Sequence, residues 1–196
     1  MSNPRGGRLV KNKEIDNDSM LLITNVIDTV KAAEVPIVEE SVIEAPKIKL
    51  NLGCGFRKVD GFINIDKREL VKPELLADIE DGFPMYADSS VDEVRAFDIL
   101  EHIVPDKVVF VLSEIHRILK SEGVFHFFIP STDGRGAFQD PTHRSYWNIN
   151  SWLYYCAPTW HDLYPELPFF KSLGIKDVGE NVYKIIHTEG FLQPVK

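Results

Sequence analysis

The stretch KIKLNLGCGFRKVDGFINIDKRE, residues 47–69, contains two short apolar segments separated by a glycine-rich turn. Both segments have the length and composition of buried β-strands. The first ends at Gly53, Cys54 and Gly55, where glycine permits positive φ angles and the close approach of a ligand to the backbone. The second ends at Asp66, whose carboxylate can accept hydrogen bonds from both hydroxyls of a ribose. We therefore predict a nucleoside-binding site at the ends of these two strands.

The spacing of the glycines bears on which nucleoside binds. A dinucleotide-binding turn has three glycines, as G-x-G-x-x-G, followed by a full helix that faces the pyrophosphate. Here Lys58 takes the place of the third glycine, and only FRKVDG separates the turn from the next strand. A nicotinamide-dependent oxidoreductase is therefore a weaker alternative, and a cofactor with a ribose and no phosphate suits the pattern better.

Strand-like and helix-like segments alternate along the chain. The predicted strands are Ile48–Leu52, Gly61–Asp66, Leu75–Ile79, Glu93–Leu100 and Val124–Pro130, and Asp106–Lys120 is a predicted amphipathic helix. Two more strands, joined through Gly-Glu-Asn, are predicted near the C-terminus as a hairpin. This alternation predicts an α/β fold: a doubly wound, mainly parallel Rossmann-like sheet with an antiparallel edge strand near the C-terminus.

The length of 196 residues suits one domain with a sizeable core. We expect a partly flexible leader and linker at residues 1–46, with a short helix at Ser19–Glu34, and the folded domain at residues 47–196. The net charge of −8 disfavours a broad surface for nucleic acid or membrane. Two cysteines and the lack of an export signal or membrane-length apolar run favour a reduced, cytoplasmic protein. The oligomeric state is left open.

Four ordered motifs between Ile48 and Thr132 resemble those of a known family. LNLGCG is similar to the first motif of the class I S-adenosylmethionine-dependent methyltransferases, and INID to the second. LADIEDGFPMYADSSVDEVRAFDILEHI and LSEIHRILKSEGVFHFFIPS resemble the segments around the family's fourth and fifth strands. The short first crossover, the turn KSEG and the N-terminal leader depart from the pattern. The resemblance implies an enzyme that uses S-adenosyl-L-methionine as cofactor.

Matching positions in the motifs imply roles for individual residues. Gly53, Cys54 and Gly55 would lie under the cofactor, and Asp66 would bind the ribose diol. Asp78 and Ile79 would lie beside the adenine, although Asp78 could instead cap a turn. Asp98, with Leu100, would lie near the methyl sulfonium.

Two segments contain a possible general base. Glu101 and His102 follow the fourth strand, and histidine titrates near neutral pH; the pair could also merely cap and pack a helix start. The second segment, Ser131–Tyr155, is expected to lie over the ligand crevice because it follows the fifth strand. It contains His143, which would act as the base, and Asp140, which would orient the imidazole.

The same segment is rich in aromatic side chains, which are typical of pockets for organic substrates. Arg144, Tyr146 and Trp147 are the predicted contacts to the methyl acceptor, and the alternative is a structural lid in which charged residues pair. No metal site is predicted, since the spacing of Asp140, His143, Cys156 and His161 matches no common zinc pattern.

These observations predict methyl transfer to an oxygen or nitrogen of a small-molecule or sugar acceptor, with no nucleic acid or membrane partner. The alternatives are a methyltransferase that acts on protein or nucleic acid, which would need a dedicated recognition surface, and a non-catalytic binding module of the same fold. The short first crossover favours the latter.

Overall fold

A seven-stranded sheet organises residues 46–179 and 182–196, which are the residues that this computed structural model describes. The strands are β1 (Lys49–Leu52), β2 (Ile63–Asp66), β3 (Leu75–Leu76), β4 (Val91–Phe97), β5 (Leu119–Pro130), β6 (Phe170–Val178) and β7 (His187–Pro194). The helices are α1 (Pro105–Ile118), α2 (Gly136–Gln139), α3 (Leu153–Cys156) and α4 (Pro158–Leu163). The predicted helix Ser19–Glu34 and almost all of the leader lie outside the described residues.

The strand order is β3-β2-β1-β4-β5-β7-β6. β1 to β5 pair in parallel, and β7 pairs antiparallel with both β5 and the edge strand β6. The predicted α/β class, the mainly parallel sheet and the antiparallel pairing at the C-terminal edge are confirmed. β2 and β3 follow on one side of β1, and β4 then lies on its other side, so the strand order reverses between β1 and β4. A ligand site is expected beyond the strand ends at such a switch point.

The connections on the β1 side are shorter than those of a typical doubly wound fold. Residues 53–62 join β1 to β2 without a helix, and 3₁₀ turns at Glu69–Val71 and Ile79–Asp81 replace helices in the next two connections. The predicted strand Leu75–Ile79 was too long: it ends at Leu76, and Ile79 begins a 3₁₀ turn. The long helix, α1, lies in the connection from β4 to β5.

The core lies between one face of the sheet and α1. Val111, Leu112, Ile115 and Ile118 of α1 are buried with the apolar side chains of the central strands. Trp152 is fully buried there and stacks on Phe127 at a ring separation of 3.7 Å. Part of the aromatic segment that was expected to form a substrate pocket is therefore hydrophobic core.

The two cysteines, Cys54 and Cys156, are both free thiols. Burial raises the pKa of Cys156 to about 12, which makes it a poor thiolate ligand. Among the described helices, none has both the length and the apolar character needed to cross a membrane.

Candidate active site

A cavity of about 370 Å³ opens beyond the carboxyl ends of β1, β2 and β4. The predicted site residues that line it are Gly53, Asp66, Asp78, Ile79, Asp98, His102 and Arg144. The fold thus brings five of the seven predicted cofactor residues together with two residues predicted for catalysis or acceptor binding. Such a volume lies within the range of small-molecule and cofactor pockets, about 300–1,000 Å³.

The other two predicted cofactor residues lie next to this cavity. Cys54 and Gly55 line a second space of about 270 Å³, which shares Gly53, Arg68 and Asp98 with the first. Cys54 is buried, and burial raises the pKa of its thiol. A nucleophilic role for this thiol is therefore disfavoured.

The glycine turn has a structural requirement of its own. Gly53 has φ +60°, and a Cβ at this position would lie 2.3 Å from Cγ1 of Ile99. Gly55 has φ +52°, and its N–H donates to Oδ2 of Asp66 at 2.9 Å. Both glycines thus adopt a conformation that other residues rarely take, and Gly53 also allows Ile99 to pack closely.

Asp66 is buried at the end of β2, and in this structure Arg68 occupies its carboxylate. Arg68 donates from Nε to Oδ1 at 3.0 Å and from Nη2 to Oδ2 at 3.2 Å, and its backbone N–H donates to Oδ1 at 2.9 Å. Burial alone would raise the pKa of Asp66, but the bonds from Arg68 and Gly55 outweigh it and lower that pKa. The lowered pKa keeps the carboxylate ionised, so it is a strong acceptor for donors such as hydroxyl groups.

Arg68 is a site residue that sequence reasoning missed. Its side chain is 62% exposed, whereas that of Asp66 is 4% exposed. The only signal in the sequence was a cation two positions after the acid that ends β2.

Asp78 has one of the two roles that were considered for it, the cap of a turn, and its place beside the adenine stays a prediction. Its Oδ1 accepts from the backbone N–H of Glu80 at 3.1 Å and so caps a 3₁₀ turn, while the residue also lines the cavity. Its Oδ2 pairs with Nζ of Lys67 at 3.1 Å. Ile79 is buried beside it and adds an apolar wall, as a flat heterocycle such as adenine would need.

Asp98 follows β4 in a left-handed conformation, with φ +51°. It pairs with Arg57 at 3.1 Å and with His187 at 3.4 Å. Burial by itself would raise its pKa, but the interactions with His187 and Arg57 prevail and lower it. Asp98 thus connects the first crossover to β7, which the sequence did not indicate.

The two histidines proposed as bases lie side by side. The rings of His102 and His143 are 4.9 Å apart, almost perpendicular to each other. Nδ1 of His143 lies 2.8 Å from the carbonyl oxygen of Ala137, so it carries the proton and donates it. Nε2, the other ring nitrogen, lies 3.9 Å from Oε1 of Glu101.

Glu101 is almost fully buried, at 2% exposure. Its Oε2 makes no hydrogen bond to any described residue. Burial, together with the charges of Asp98 and Asp140, raises the pKa of Glu101 to about 8. The prediction treated Glu101 mainly as the neighbour of His102, and its burial against His143 was not foreseen.

Asp140 does not make the orienting contact that was predicted for it. Its Oδ1 accepts from the N–H and the hydroxyl of Thr142, and these bonds hold its pKa below the ordinary value. Its Oδ2 lies 3.9 Å from Nε2 of His143, on the side of the ring away from the oriented N–H. The carbonyl of Ala137 orients the imidazole, and Asp140 supplies only nearby charge.

Hydrogen bonds join the segment after Asp140 to the turn that follows β4. The N–H groups of Arg144 and Ser145 donate to the carbonyl of Glu101 at 2.7 and 3.0 Å. The hydroxyl of Ser145 donates to the carbonyl of Leu100, and Nε1 of Trp147 donates to that hydroxyl. These contacts hold His143 and Arg144 over the strand ends.

A third, shallower cavity of about 640 Å³ lies on the other side of this segment. Its aromatic lining comprises Tyr146, Trp147, Tyr154, Tyr155 and Tyr164, and Arg144 borders both this cavity and the first. Tyr146 is exposed, whereas Trp147 is 5% exposed and stacks on Trp152. Trp147 therefore contributes an edge to the cavity wall and belongs mainly to the core.

Comparison with known proteins agrees with this geometry. Residues 50–127, which run from within β1 into β5, match the model of a methyltransferase domain. These residues form a methyltransferase domain of the class I S-adenosylmethionine-dependent family. The resemblance inferred from the four motifs is confirmed, and S-adenosyl-L-methionine is the cofactor of this methyltransferase. The match ends within β5, before the segment that contains His143 and Arg144.

Solved methyltransferase structures share the fold at low identity. An S-adenosylmethionine-dependent methyltransferase from Archaeoglobus fulgidus superposes with a TM-score of 0.58 at 13% identity, covering 89% of this chain and 93% of that one. A 1,6-didemethyltoxoflavin-N1-methyltransferase from Burkholderia thailandensis, with that compound and S-adenosylhomocysteine bound, gives 0.50 at 13%, covering 95% and 94%.

A 16S rRNA (adenine(1408)-N(1))-methyltransferase from Catenulisporales acidiphilia gives a TM-score of 0.51 at 12% identity, covering 78% of this chain and 86% of that one. No curated protein sequence matches the chain significantly. The structural relatives differ in acceptor, so the shared fold does not identify the acceptor of this methyltransferase.

Proposed function

We propose that this methyltransferase transfers the methyl group to an oxygen or nitrogen of a small-molecule or sugar acceptor. The observation that carries the proposal is the position of Arg144, which borders both the cavity at the strand ends and the aromatic cavity. A cofactor in the first and an acceptor in the second would meet beside the same residue. A cytoplasmic location and the assignment of the folded domain to residues 47–196 are part of this proposal.

The residues of the first cavity suit the cofactor. Asp66 would hold the ribose hydroxyls once Arg68 moves aside, and Ile79 with Asp78 would flank the adenine. Gly53 would leave the backbone accessible beneath the cofactor, and Asp98 would lie at the floor. Bound S-adenosylmethionine supplies a methyl group whose carbon–sulfur bond breaks as an acceptor lone pair takes it, leaving a neutral thioether.

The remaining residues would position the acceptor and accept its proton. Arg144, whose guanidinium has no ion-pair partner among residues 46–179 and 182–196, is available to an anionic or polar group of the acceptor. Nε2 of His143 has the free lone pair that a general base needs, and His102 lies next to it. Proximity and alignment of the reactants supply most of the acceleration in such a displacement.

The small-molecule assignment is favoured over nucleic acid by charge and surface chemistry. The net charge is −8, and the aromatic cavity is bordered by tyrosines rather than by several cations. The test is incubation with S-adenosylmethionine and a fractionated metabolite extract, followed by a mass-spectrometric search for a product heavier by one CH₂. Methylation of RNA or protein with no small-molecule product would overturn this assignment.

S-adenosylhomocysteine is expected to bind and stabilise the protein. At ten times its dissociation constant it should add about 1.4 kcal/mol to the free energy of unfolding, because it binds the native state alone. Differential scanning fluorimetry measures this, with NAD as the control ligand that should cause no comparable shift. Stabilisation by NAD and not by S-adenosylhomocysteine would contradict the proposed cofactor site.

The bonds from Arg68 to Asp66 favour one alternative, a non-catalytic module, because they occupy the ribose-binding carboxylate in this structure. A module of that kind would yield no methylated product from any acceptor fraction. Stoichiometric binding of S-adenosylhomocysteine without product formation would therefore support it.

A further inference from the structure

Glu101, His102 and His143 converge at one point beside the cavity at the strand ends. One potential ligand atom of each lies within 4.8 Å of the others. Glu101 is 2% exposed, its Oε2 has no hydrogen-bond partner, and no described lysine or arginine forms an ion pair with it. Buried carboxylates in proteins are normally paired or bound to a metal. The arrangement is therefore incomplete without a further group.

His143 has the environment of a metal-binding histidine. Its Nδ1–H donates to the carbonyl oxygen of Ala137 at 2.8 Å, which fixes the tautomer and the orientation of the ring. Metal-bound histidines almost always donate their second N–H to a carbonyl or carboxylate in this way. The free nitrogen, Nε2, lies 3.9 Å from Oε1 of Glu101 and 3.9 Å from Oδ2 of Asp140.

The distances between the ligand atoms of the three residues are slightly longer than direct coordination of one ion allows. Bonds of about 2.0–2.2 Å to nitrogen and oxygen place neighbouring ligand atoms about 3.0–3.5 Å apart. The backbones of the two segments are already joined, since Arg144 and Ser145 donate to the carbonyl of Glu101. With the ring of His143 held by Ala137, closure of the site would require movement of the Glu101 and His102 side chains towards it.

We propose that Glu101, His102 and His143 bind a divalent transition-metal cation. Two imidazoles and one carboxylate suit Zn²⁺, Fe²⁺ or Mn²⁺ better than Mg²⁺ or Ca²⁺, which prefer sites made of oxygen ligands alone. Three protein ligands leave coordination positions open for a further molecule. Because His102 lines the cavity at the strand ends, the proposed site adjoins the proposed cofactor cavity.

The role of this cation rests on the proposed function. A cation there would bind a hydroxyl of the acceptor and lower its pKa, so that the oxygen loses its proton to water before it takes the methyl group. His143 would then act as a ligand instead of a base. The motifs did not indicate this set of three residues, because His143 lies far along the chain from Glu101 and His102.

The test uses the full chain without a histidine tag, dialysed against a chelator and then titrated with Zn²⁺ in a calorimeter and with Co²⁺ followed by absorption. One equivalent should bind, and the Co²⁺ spectrum should show d–d bands of a nitrogen- and oxygen-bound ion. Glu101→Gln, which keeps the shape of the side chain, and His143→Gln should each weaken Zn²⁺ binding at least tenfold.

His126→Gln is the matched control, because His126 pairs with Glu189 at 3.0 Å away from this cluster. This control should bind Zn²⁺ like the wild type. The proposal is overturned if the wild type binds no stoichiometric metal, or if Glu101→Gln and His143→Gln bind it as well as the control. Circular dichroism and thermal melts of each variant show whether a loss reflects unfolding.

Failure of the metal site is distinguishable from failure of the proposed function. If the chelated protein methylates its acceptor at the full rate, the cation is not needed, while the methyltransferase assignment stands. If S-adenosylhomocysteine does not bind with or without Zn²⁺, the proposed cofactor site fails, and Zn²⁺ titration still decides the metal site by itself.

Discussion

Replacing His143 with alanine is expected to reduce methyl transfer by about 10²–10⁴-fold, the usual contribution of a group that assists proton removal. The affinity for S-adenosylhomocysteine should stay within about threefold of the wild type, since His143 does not line the cavity at the strand ends. Its Nε2 lies instead beside the buried carboxyl of Glu101, at 3.9 Å from Oε1. Initial rates and calorimetry measure the two quantities.

Gln139→Ala is the control for this substitution, because Gln139 is an exposed residue of the same segment. A rate loss confined to a higher KM would make His143 a positioning residue. Simultaneous loss of stability and cofactor affinity would contradict the catalytic role. His143 would then be a structural pin, and the base would have to be His102.

Asp66→Ala is expected to weaken cofactor binding about 10- to 100-fold while the protein remains folded. The substitution removes two charge-assisted hydrogen bonds to the ribose, each with a net value of roughly 1.5–3 kcal/mol, and water entering the gap recovers part of that loss. Calorimetric titration with S-adenosylhomocysteine measures the change. Unchanged affinity in a folded variant would mean that Asp66 only anchors Gly55 and Arg68.

Two further variants refine this result. Arg68→Ala frees the carboxylate of Asp66 from its internal partner, so its cofactor affinity should equal or exceed that of the wild type. Asp60→Ala removes an exposed carboxylate from the neighbouring loop and should change nothing. A large loss in Arg68→Ala would show that Arg68 itself contacts the cofactor.

The elements that the sequence predicted well are those with a local signal. The strand that ends at Asp66 and the turn at Gly53 follow from apolar runs and from the backbone freedom of glycine, and both lie where the pattern placed them. The order of the motifs then predicted the sheet and the edge at which a ligand would bind.

The features that the sequence did not predict depend on contacts between distant segments. The burial of Glu101 against His143 requires the segment after β5 to fold back over the end of β4, which no periodicity encodes. The same holds for Trp152, which stacks on Phe127 in the core. An aromatic residue can lie in a core or in a pocket wall, and the composition of the segment does not distinguish the two. The predicted contact of Asp140 failed for a local reason instead. Its Oδ1 accepts from the N–H of Thr142, two residues along the chain, and this bond was not considered in the prediction.

The backbone bonds from Arg144 and Ser145 to the carbonyl of Glu101 also bear on the order in which ligands bind. A lid that closes over the cofactor imposes a compulsory sequence, because one ligand traps the other. Here the segment between the two cavities is bonded to Glu101 in the structure without any ligand, and the two cavities share only Arg144 among their lining residues. We therefore expect random-order kinetics, with S-adenosylhomocysteine competitive against the methyl donor at every acceptor concentration.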